Sequence, residues 1–210
     1  MDVLLSVRPE WLQKILAGQK TVELRLSRPD LMPPFKVFLY CSGKGTKNPH
    51  KTLEIHSSGK IYRANGLVAG EFTCTAIDRV VRVGNMENNI PLQYCVEDHH
   101  GGYTAAEILF DDACLTTEQA ESYLCGRDGY GWHISDIKTY DLPKTVAAFG
   151  VLKAPQSWCY TYNFLSETTF KKAISVPTYR GGGGCHLFSE LCHSFKTAST
   201  CAISCSLFGI

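Results

Sequence analysis

The sequence predicts an α+β fold in which a small closed β-sheet is flanked by short helices. Three patterns support this prediction. An amphipathic helical segment near the start ends at Gly18 and is followed at once by an alternating, β-branched segment. The longest strand-like run, residues 67–83, is long enough to bend between two sides of a closed sheet, and Gly70 permits that bend. Between residues 88 and 129 the pattern changes to short helices.

The first helix and the strand after it form the most regular part of the sequence. Pro9 suits a first helical turn, where its missing N–H would have no partner in any case. The apolar residues that follow keep helical spacing; they are Trp11, Leu12, Ile15 and Leu16. Gly18 fits the left-handed position that ends a helix. The alternation in residues 21–26 then places Glu23 and Arg25 on the same face of a strand, with Lys20 in the turn before it.

Lys20, Glu23 and Arg25 are the strongest candidates for a functional site. A carboxylate between two cations keeps its charge and orients the cations. It also accepts hydrogen bonds from a polar planar ligand such as a nucleobase. The alternative is a solvated ion pair on the outer face of a strand, and such pairs contribute only ~0–1 kcal/mol to stability. These three residues alone leave both interpretations open.

Residues 42–66 follow the predicted strand FKVFLYC and are rich in Gly, Ser and Lys, without helical periodicity. We expect a mobile loop or an irregular hairpin. Its cations would allow this segment to close over an anionic backbone, and they are equally compatible with a solvated loop. They are Lys44, Lys47, Lys51, Lys60 and Arg63.

Two short helices are predicted in the central region, at residues 104–110 and 116–124. Each segment has a threonine near its start and a small or polar residue three positions on, as helix entries often do. A dense titratable cluster precedes them, comprising Glu97, Asp98, His99 and His100. These residue types ligate zinc or iron. Adjacent histidines rarely converge on one ion, however, and no second cluster completes a site, so the sequence favours a polar loop.

The segment GYGWHISD, residues 129–136, alternates apolar and polar side chains. One face of this predicted strand belongs to the core, and the other faces a groove or solvent. Trp132 either fills the core or stacks on a base. His133 is either a hydrogen-bond partner for a ligand or a buried structural histidine.

The C-terminal residues have a different composition, and we expect a domain over residues 1–162 and a poorly ordered extension over 163–210. The extension contains four consecutive glycines, at 181–184, with repeated Cys and Ser and weak periodicity. Its Cys and His spacings match no short-loop zinc knuckle, so no metal site is predicted. These residues are Cys185, His186, Cys192, His193, Cys201 and Cys205.

Composition restricts the class of protein further. The formal net charge of +1 provides no broad electrostatic surface for wrapping nucleic acid, so any such contact is local. The chain has ten cysteines, no CxxC pair and no signal peptide, which predicts reduced thiols and a cytoplasmic location. The longest apolar runs are too short or too polar to cross a bilayer, which needs about 20 apolar residues. We expect no membrane span and no cofactor, and the sequence does not specify an oligomeric state.

The segment GQKTVELR, preceded by LLSVRPEWLQKILA, resembles the signature GxKxxExR of the ASCH domain, a PUA-like β-barrel family. Every fixed position of that signature is matched. The likeness continues in GLVAGEFTC, YGWHISDIKTYDLP and PQSWCY, as in phage and bacterial members, and covers roughly residues 3–160. It implies a small closed PUA-like β-barrel, from which residues 163–210 depart.

The resemblance also implies a module that binds RNA or a modified nucleotide. In such a cleft Lys20 and Arg25 would contact phosphate or carbonyl oxygens, and Glu23 would accept from an exocyclic amine. In a PUA-like fold the strand that carries Trp132 borders the ligand cleft. The ligand-binding residues expected on this basis are Arg8, Lys20, Glu23, Arg25, Trp132 and His133.

A second implied class is a small amidohydrolase, because some ASCH-like proteins resemble enzymes that deacetylate N4-acetylcytidine. Lys20 and Glu23 would then be catalytic, with Lys20 acting as base or nucleophile if burial lowers its pKa. Glu23 occupies the position of the threonine that those deacetylating enzymes use, so it would itself be the general base, or the activity would be absent. Glu71 or Glu97 would supply a distal carboxylate. A third hypothesis, a protein-interaction barrel without a nucleotide ligand, predicts that the three charged side chains lie in open solvent. We favour binding over catalysis.

Overall fold

The computed structural model describes residues 1–48, 51–85, 90–98 and 100–161. About half of this part of the chain is strand. The strands are β1 (Asp2–Val7), β2 (Val22–Arg25), β3 (Phe35–Cys41), β4 (Glu54–Ser57), β5 (Lys60–Arg63), β6 (Val68–Asn85), β7 (Ile90–Glu97), β8 (Tyr103–Ala105), β9 (Gly129–Lys144) and β10 (Trp158–Thr161). The helices are α1 (Pro9–Leu16), α2 (Glu107–Asp112) and α3 (Thr117–Leu124), with a 3-10 turn at Val146–Phe149.

One sheet of eight strands carries the candidate site. Strand β1 runs parallel to β3 and antiparallel to β10. On one edge β6 pairs first with β3 and then with β7, which pairs with β8. On its other edge β6 pairs with β9, and β9 also pairs with β2, so that Glu23 lies opposite Trp132. Strands β4 and β5 form a separate two-stranded sheet.

The prediction of a closed α+β barrel was wrong. The described residues form a mostly β structure with few helices, and the path β10-β1-β3-β6-β7-β8 is open, because no pairing joins its two end strands. The register of β6 shifts next to Gly70 in its pairing with both β3 and β9, and this irregularity does not close the sheet. A Cβ at Gly70 would lie 2.5 Å from the carbonyl oxygen of Lys138, so the glycine lets the backbone of β9 approach β6 closely. Alternation along a strand indicates the face of each residue and carries no information about its partner strand.

Strand β1 is buried on both faces, which explains its three consecutive apolar residues Val3, Leu4 and Leu5. Val3 and Leu5 pack in a cluster with Leu12 and Ile15 of α1, whereas Leu4 packs in another cluster on the opposite face. A third cluster joins β2 to α2 and α3. Strand β1, whose end lies beside the candidate site, is therefore held in place by a cluster on each of its faces.

Helix α1 ends where the sequence predicts, and its end fixes the position of Lys20. Gly18 has a φ of +70°, in the left-handed region. Its N–H donates to the carbonyl of Ile15 at 2.9 Å, and the N–H of Gln19 donates to the carbonyl of Lys14 at 2.9 Å. This pair of hydrogen bonds is a Schellman motif. It turns the chain sharply, so that Lys20 lies just before β2 and beside the C-terminal end of α1.

Replacing Gly18 with alanine tests this turn. No atom lies within 4 Å of the position where a Cβ would be added, so the cost is backbone strain alone. We expect Gly18→Ala to lower the free energy of unfolding by about 1–2 kcal/mol, measured by urea denaturation with an unchanged m-value. Gly18→Asn should lose less, because asparagine tolerates the left-handed conformation. Equal stability of the alanine variant and the wild type would contradict this account.

The described part of residues 42–66, which we call the basic arm, contains a hairpin and is anchored in the core. Strands β4 and β5 pair from Glu54–Arg63 to Ser57–Lys60. The arm buries three apolar side chains in the cluster beneath α1, namely Leu53, Ile55 and Ala64. At its base the side chain of Asn65 donates to the carbonyls of Ser42, at 3.0 Å, and Lys51, at 2.9 Å, and accepts from the N–H of Leu53. The base of the arm thus has a fixed position on the sheet.

The two predicted central helices have different outcomes. Helix α3 begins after Thr116, whose side chain accepts from the N–H of Gln119 while the Gln119 side chain accepts from the N–H of Thr116. The other helix begins later than predicted, because Tyr103–Ala105 pair with β7 as strand β8 and α2 starts only at Glu107. The residues that the sequence pattern assigned to the first turn of this helix therefore pair at the edge of the sheet instead.

Three further predictions concern the chain as a whole. None of the described helices is long and apolar enough to cross a membrane. The six cysteines in the described ranges are free thiols. The predicted extension, residues 163–210, and its boundary at 162 lie outside the described residues, so the two-part organisation stays a prediction.

Candidate functional site

Lys20 is buried beside the start of β2. Its Nζ donates a hydrogen bond to the backbone carbonyl of Ala113 at 2.6 Å and lies 3.3 Å from Oε2 of Glu23. The same nitrogen lies 5.6 Å from the centre of the Trp11 ring. Because the side chain is only 3% exposed, burial lowers the pKa of Lys20, and the charge of Glu23 opposes that shift.

The carboxylate of Glu23 contacts both cations. Its Oε1 accepts from Nε of Arg25 at 2.9 Å and lies 2.8 Å from Nη2 of the same side chain, whereas Oε2 lies nearest Lys20. The Glu23 side chain is 8% exposed. A carboxylate offers about four acceptor positions. The contacts with Lys20 and Arg25 occupy three of them and leave one on Oε2.

Arg25 ties the ion pair to the ends of two other strands. Its Nη2 donates to the backbone carbonyl of Ser6 at 2.7 Å, and its Nη1 lies 3.4 Å from Oγ of Ser157. With the contacts to Glu23, each guanidinium nitrogen has a partner. The three charged side chains therefore form one network that β1, β2 and the segment before β10 hold together.

This network lines an open cavity of about 970 Å³. One wall comes from the end of β1 and the start of α1, and another comes from the polar face of α3. Ser42, the first residue of the basic arm, also lines the cavity. The lining residues are Ser6, Val7, Arg8, Glu10, Trp11, Lys20, Glu23, Leu24, Arg25, Ser42, Leu115, Glu118, Gln119, Ser122, Tyr123 and Gln156.

The charges that line the cavity balance. Three are cations, from Arg8, Lys20 and Arg25, and three are carboxylates, from Glu10, Glu23 and Glu118. Arg8 is 70% exposed at the cavity mouth, where its Nε lies 3.4 Å from Oε1 of Glu10. The cavity thus presents buried charges of both signs without a net excess of either.

Trp132, expected at the border of the cleft, is not among the lining residues. Its side chain is fully buried and packs edge-on against Phe35, with ring centres 6.1 Å apart, and against Trp158 at the same distance. Although Trp132 lies opposite Glu23 across the β2–β9 ladder, its ring extends into the core. Trp132 is therefore a core residue beside the site and offers no face to a ligand in this cavity.

His133 lies in a second, smaller cavity of about 400 Å³, which Val22, Leu109 and Asp112 also line. Its Nε2 lies 2.7 Å from Oδ2 of Asp78. This hydrogen bond raises the pKa of His133, and partial burial opposes the shift. The alternation along β9 separates His133 from the cavity that contains Lys20, since neighbouring residues of a strand face opposite sides.

The His133–Asp78 pair predicts a pH dependence of stability. Because the folded-state pKa of His133 is raised, the pair contributes fully below the ordinary histidine value of about 6.5 and is lost as the pH rises through the raised pKa. We expect the unfolding midpoint of the wild type to fall over that range relative to His133→Gln, measured by thermal denaturation in matched buffers. Parallel pH profiles for the two proteins would contradict this.

The distal carboxylates considered for an enzyme site are elsewhere. Glu71 accepts from the hydroxyl of Tyr140 and pairs with Lys36 at 2.9 Å, and Glu97 pairs with Arg79 at 2.9 Å. Neither lines the cavity, whereas Glu10 and Glu118 do. Among the residues that the structure describes, no group of three His, Cys, Asp or Glu side chains could hold a metal ion.

Sequence reasoning missed the wall formed by α3. Glu118, Gln119, Ser122 and Tyr123 lie on one face of this helix, and Ala120 and Leu124 are buried on the other. The amphipathic pattern was visible in the sequence. It did not distinguish a polar face over a cavity from a polar face in solvent.

Comparison with known proteins identifies the fold family. The family model of the ASCH domain matches residues 5–110, half of the chain. The chain belongs to the ASCH domain family. The family signature GxKxxExR is the segment that places Lys20, Glu23 and Arg25 in the cavity of this ASCH domain.

Similar solved structures include the ASCH protein from Zymomonas mobilis, at 18% identity and a TM-score of 0.48 over 83% of this chain and 94% of that one. A variant of the same Zymomonas mobilis protein gives the same values. No curated protein matches the chain.

Proposed function

We propose that this ASCH domain binds an RNA base or a modified nucleoside in the cavity of Lys20, Glu23 and Arg25. The observation that carries the proposal is the state of Glu23. It is a buried carboxylate, fixed by two cations, with an acceptor position left over in an open cavity. An exocyclic amine of a base would fill that position, because a neutral donor satisfies a buried acceptor without adding charge.

The size and walls of the cavity support a planar ligand. A volume of about 970 Å³ lies at the upper end of the range for small-molecule sites, roughly 300–1,000 Å³. Trp11 from α1 and Tyr123 from α3 both line it. Stacking on such rings contributes about 1–3 kcal/mol per base. These two aromatic residues take the role that the sequence suggested for Trp132.

The electrostatics favour the base over the phosphate. Lys20 and Arg25 already donate to Glu23 and to backbone carbonyls, and the lining charges balance. A phosphate would have to compete with Glu23 for both cations. A neutral heterocycle would instead use the remaining acceptor of Glu23 and one free donor of Lys20, which has three N–H groups.

A nucleoside titration tests the proposal. We expect the full chain to bind cytidine and adenosine, which have an exocyclic amine, more tightly than uridine, as measured by calorimetry at low salt. Glu23→Gln should reduce this preference, because the amide has one acceptor oxygen instead of two. Glu97→Gln is the matched control, since Glu97 lies outside the cavity. Equal affinity for all three nucleosides, or no binding, would refute the proposal.

An amidohydrolase is the second candidate, because burial lowers the pKa of Lys20. A lower pKa reduces the free-energy cost of the neutral amine that a base or nucleophile requires. In that reaction water would add to the acetyl carbonyl of N4-acetylcytidine, and the bond to N4 would break to give acetate and cytidine. Glu23 would be the base that takes the proton from water, and this proton would pass to N4 as its bond to the acetyl carbon breaks. Acetate release by the wild type that Lys20→Ala abolishes would favour catalysis over simple binding, whereas absence of release from both proteins would exclude it.

A further inference from the structure

The basic arm has an excess of positive charge that the cavity lacks. Residues 42–66 contain four lysines and one arginine against a single glutamate, a formal charge of +4. The whole chain has a charge of +1, so the rest of the chain has a charge of −3. The basic arm is therefore the strongly cationic part of an otherwise acidic protein.

Three of these cations belong to the segments that form the base of the arm. The stem of Lys44 packs over Gly66, where an added Cβ would lie 2.8 Å from its Cγ. Arg63 donates from Nη2 to the carbonyl of Thr46, which holds it against the same segment. The backbone of Lys51 joins them through the side chain of Asn65. All three side chains are exposed, and none forms an ion pair with another described residue.

The base of the arm borders the cavity. Ser42 lines the cavity, and its N–H donates to the carbonyl of Val7, another lining residue, at 2.8 Å. A single nitrogen, Nδ2 of Asn65, bonds the carbonyls of both Ser42 and Lys51. One side-chain amide thus joins the backbone of Lys51 to that of the cavity-lining Ser42, on an arm whose apolar residues are fixed in the core.

The cavity and the arm have complementary electrostatic properties. In the cavity the buried cations already have partners and the charges balance, so it suits an uncharged base. At the base of the arm, exposed cations without carboxylate partners suit phosphate groups. A polymer that combines uncharged bases with a phosphate backbone would use both surfaces at once.

We propose that the basic arm binds the phosphate backbone of single-stranded RNA whose base occupies the cavity, with Lys44, Lys51 and Arg63 as the phosphate contacts. This inference rests on the proposed function for the position of the base. The arm itself reads no sequence, because phosphate contacts position a strand and carry no base information. Affinity for a strand should therefore depend on salt, and affinity for a free nucleoside should not.

The experiment compares two triple variants of the full chain, each of which removes three exposed cations. Binding of a fluorescein-labelled single-stranded RNA decamer is measured by anisotropy at several salt concentrations between 50 and 200 mM, and nucleoside binding is measured by calorimetry. The control cations lie on β3 and on the part of β6 that pairs with β7. Lys36, at the start of β3, is about 20 Å from Ser42 just beyond its end. The variants are K44Q/K51Q/R63Q for the arm and K36Q/R79Q/R82Q for the control.

We expect the arm variant to bind RNA at least about tenfold more weakly at 50 mM salt. The magnitude of the slope of log K against log salt should fall by about 2, because each of the three lost phosphate contacts contributes roughly 0.7. Its nucleoside affinity should equal that of the wild type, and the control variant should keep the wild-type slope. If the arm variant is unstable, the single change Lys51→Glu replaces it, since the structural contact of Lys51 is made by its backbone carbonyl.

The possible outcomes separate the two proposals. Nucleoside binding without RNA binding by the wild type, or equal slopes for the arm and control variants, would overturn the role of the arm and leave the cavity proposal intact. Loss of slope in the arm variant alone would support the arm. If the slope is lost in this way but no nucleoside binds, the arm contacts RNA and the proposed function of the cavity fails.

Discussion

Glu23→Ala is expected to lower the free energy of unfolding by about 3–5 kcal/mol, because it leaves two buried cations without a counterion. Lys20 and Arg25 are 3% and 11% exposed, and both contact Glu23. For a domain of this size the unfolding temperature should fall by roughly 6–20 °C, measured by calorimetry or circular dichroism at neutral pH.

Two further variants serve as controls for Glu23→Ala. Glu97→Ala breaks an exposed pair with Arg79 and should change stability by no more than about 1 kcal/mol. Adding Lys20→Met to Glu23→Ala should recover part of the loss, since it removes one of the unpaired buried charges. A Glu23→Ala variant that is as stable as Glu97→Ala would show that the network contributes nothing to folding.

Trp132→Ala should also destabilise the domain by about 3–5 kcal/mol, because it leaves a large cavity among close-packed aromatic rings. The Trp132 side chain is fully buried. Its Nε1 has no hydrogen-bond partner among the described residues, so the loss is one of packing alone. Urea denaturation of the alanine variant measures this loss, and Trp132→Phe should cost less because it keeps an aromatic ring in the core.

The same residue distinguishes a core role from a stacking role. Trp132→Phe should leave nucleoside affinity unchanged at a temperature where the protein is folded. Trp11→Ala should weaken nucleoside binding with a smaller effect on stability, because Trp11 is only partly buried and lines the cavity. Weaker binding by Trp132→Phe than by Trp11→Ala would mean that the core tryptophan contacts the ligand after all.

The part of the site that could be predicted is local in sequence. Pro9 and Gly18 set the two ends of one helix, and alternation in the next few residues places Glu23 and Arg25 on one face. Each of these steps depends on conformational preferences within a few positions of the residue concerned. For this reason eight consecutive residues were enough to predict that the three charged groups lie near one another.

The rest of the site depends on contacts between distant parts of the chain. The acceptor for Lys20 is the carbonyl of Ala113, 93 positions away, and the hydroxyl nearest Arg25 belongs to Ser157, 132 positions away. No periodicity in β2 indicates either partner. The burial of Trp132 also depends on distant residues. The pattern of β9 indicated two faces, and only the packing of β10 and β3 against it determines which face is buried.

The openness of the sheet was missed for a related reason. Strands β6 and β9 have 18 and 16 residues, and such lengths are compatible both with a bent strand in a barrel and with a shared strand in an open sheet. The register shifts between them allow β9 to follow β6 and then extend to β2. The residues at these irregular positions do not by themselves indicate whether a barrel or an open sheet results.

The hydrogen bond from Lys20 to Ala113 has a practical consequence for dissecting this protein. The family model ends at residue 110, and a fragment cut there would lack the acceptor for the lysine ammonium, the whole of α3 and the serine beside Arg25. Such a fragment would leave the ammonium group of Lys20 without its backbone acceptor and would lose one side of the cavity. The smallest piece suitable for expression therefore has to continue at least through β10, to Thr161.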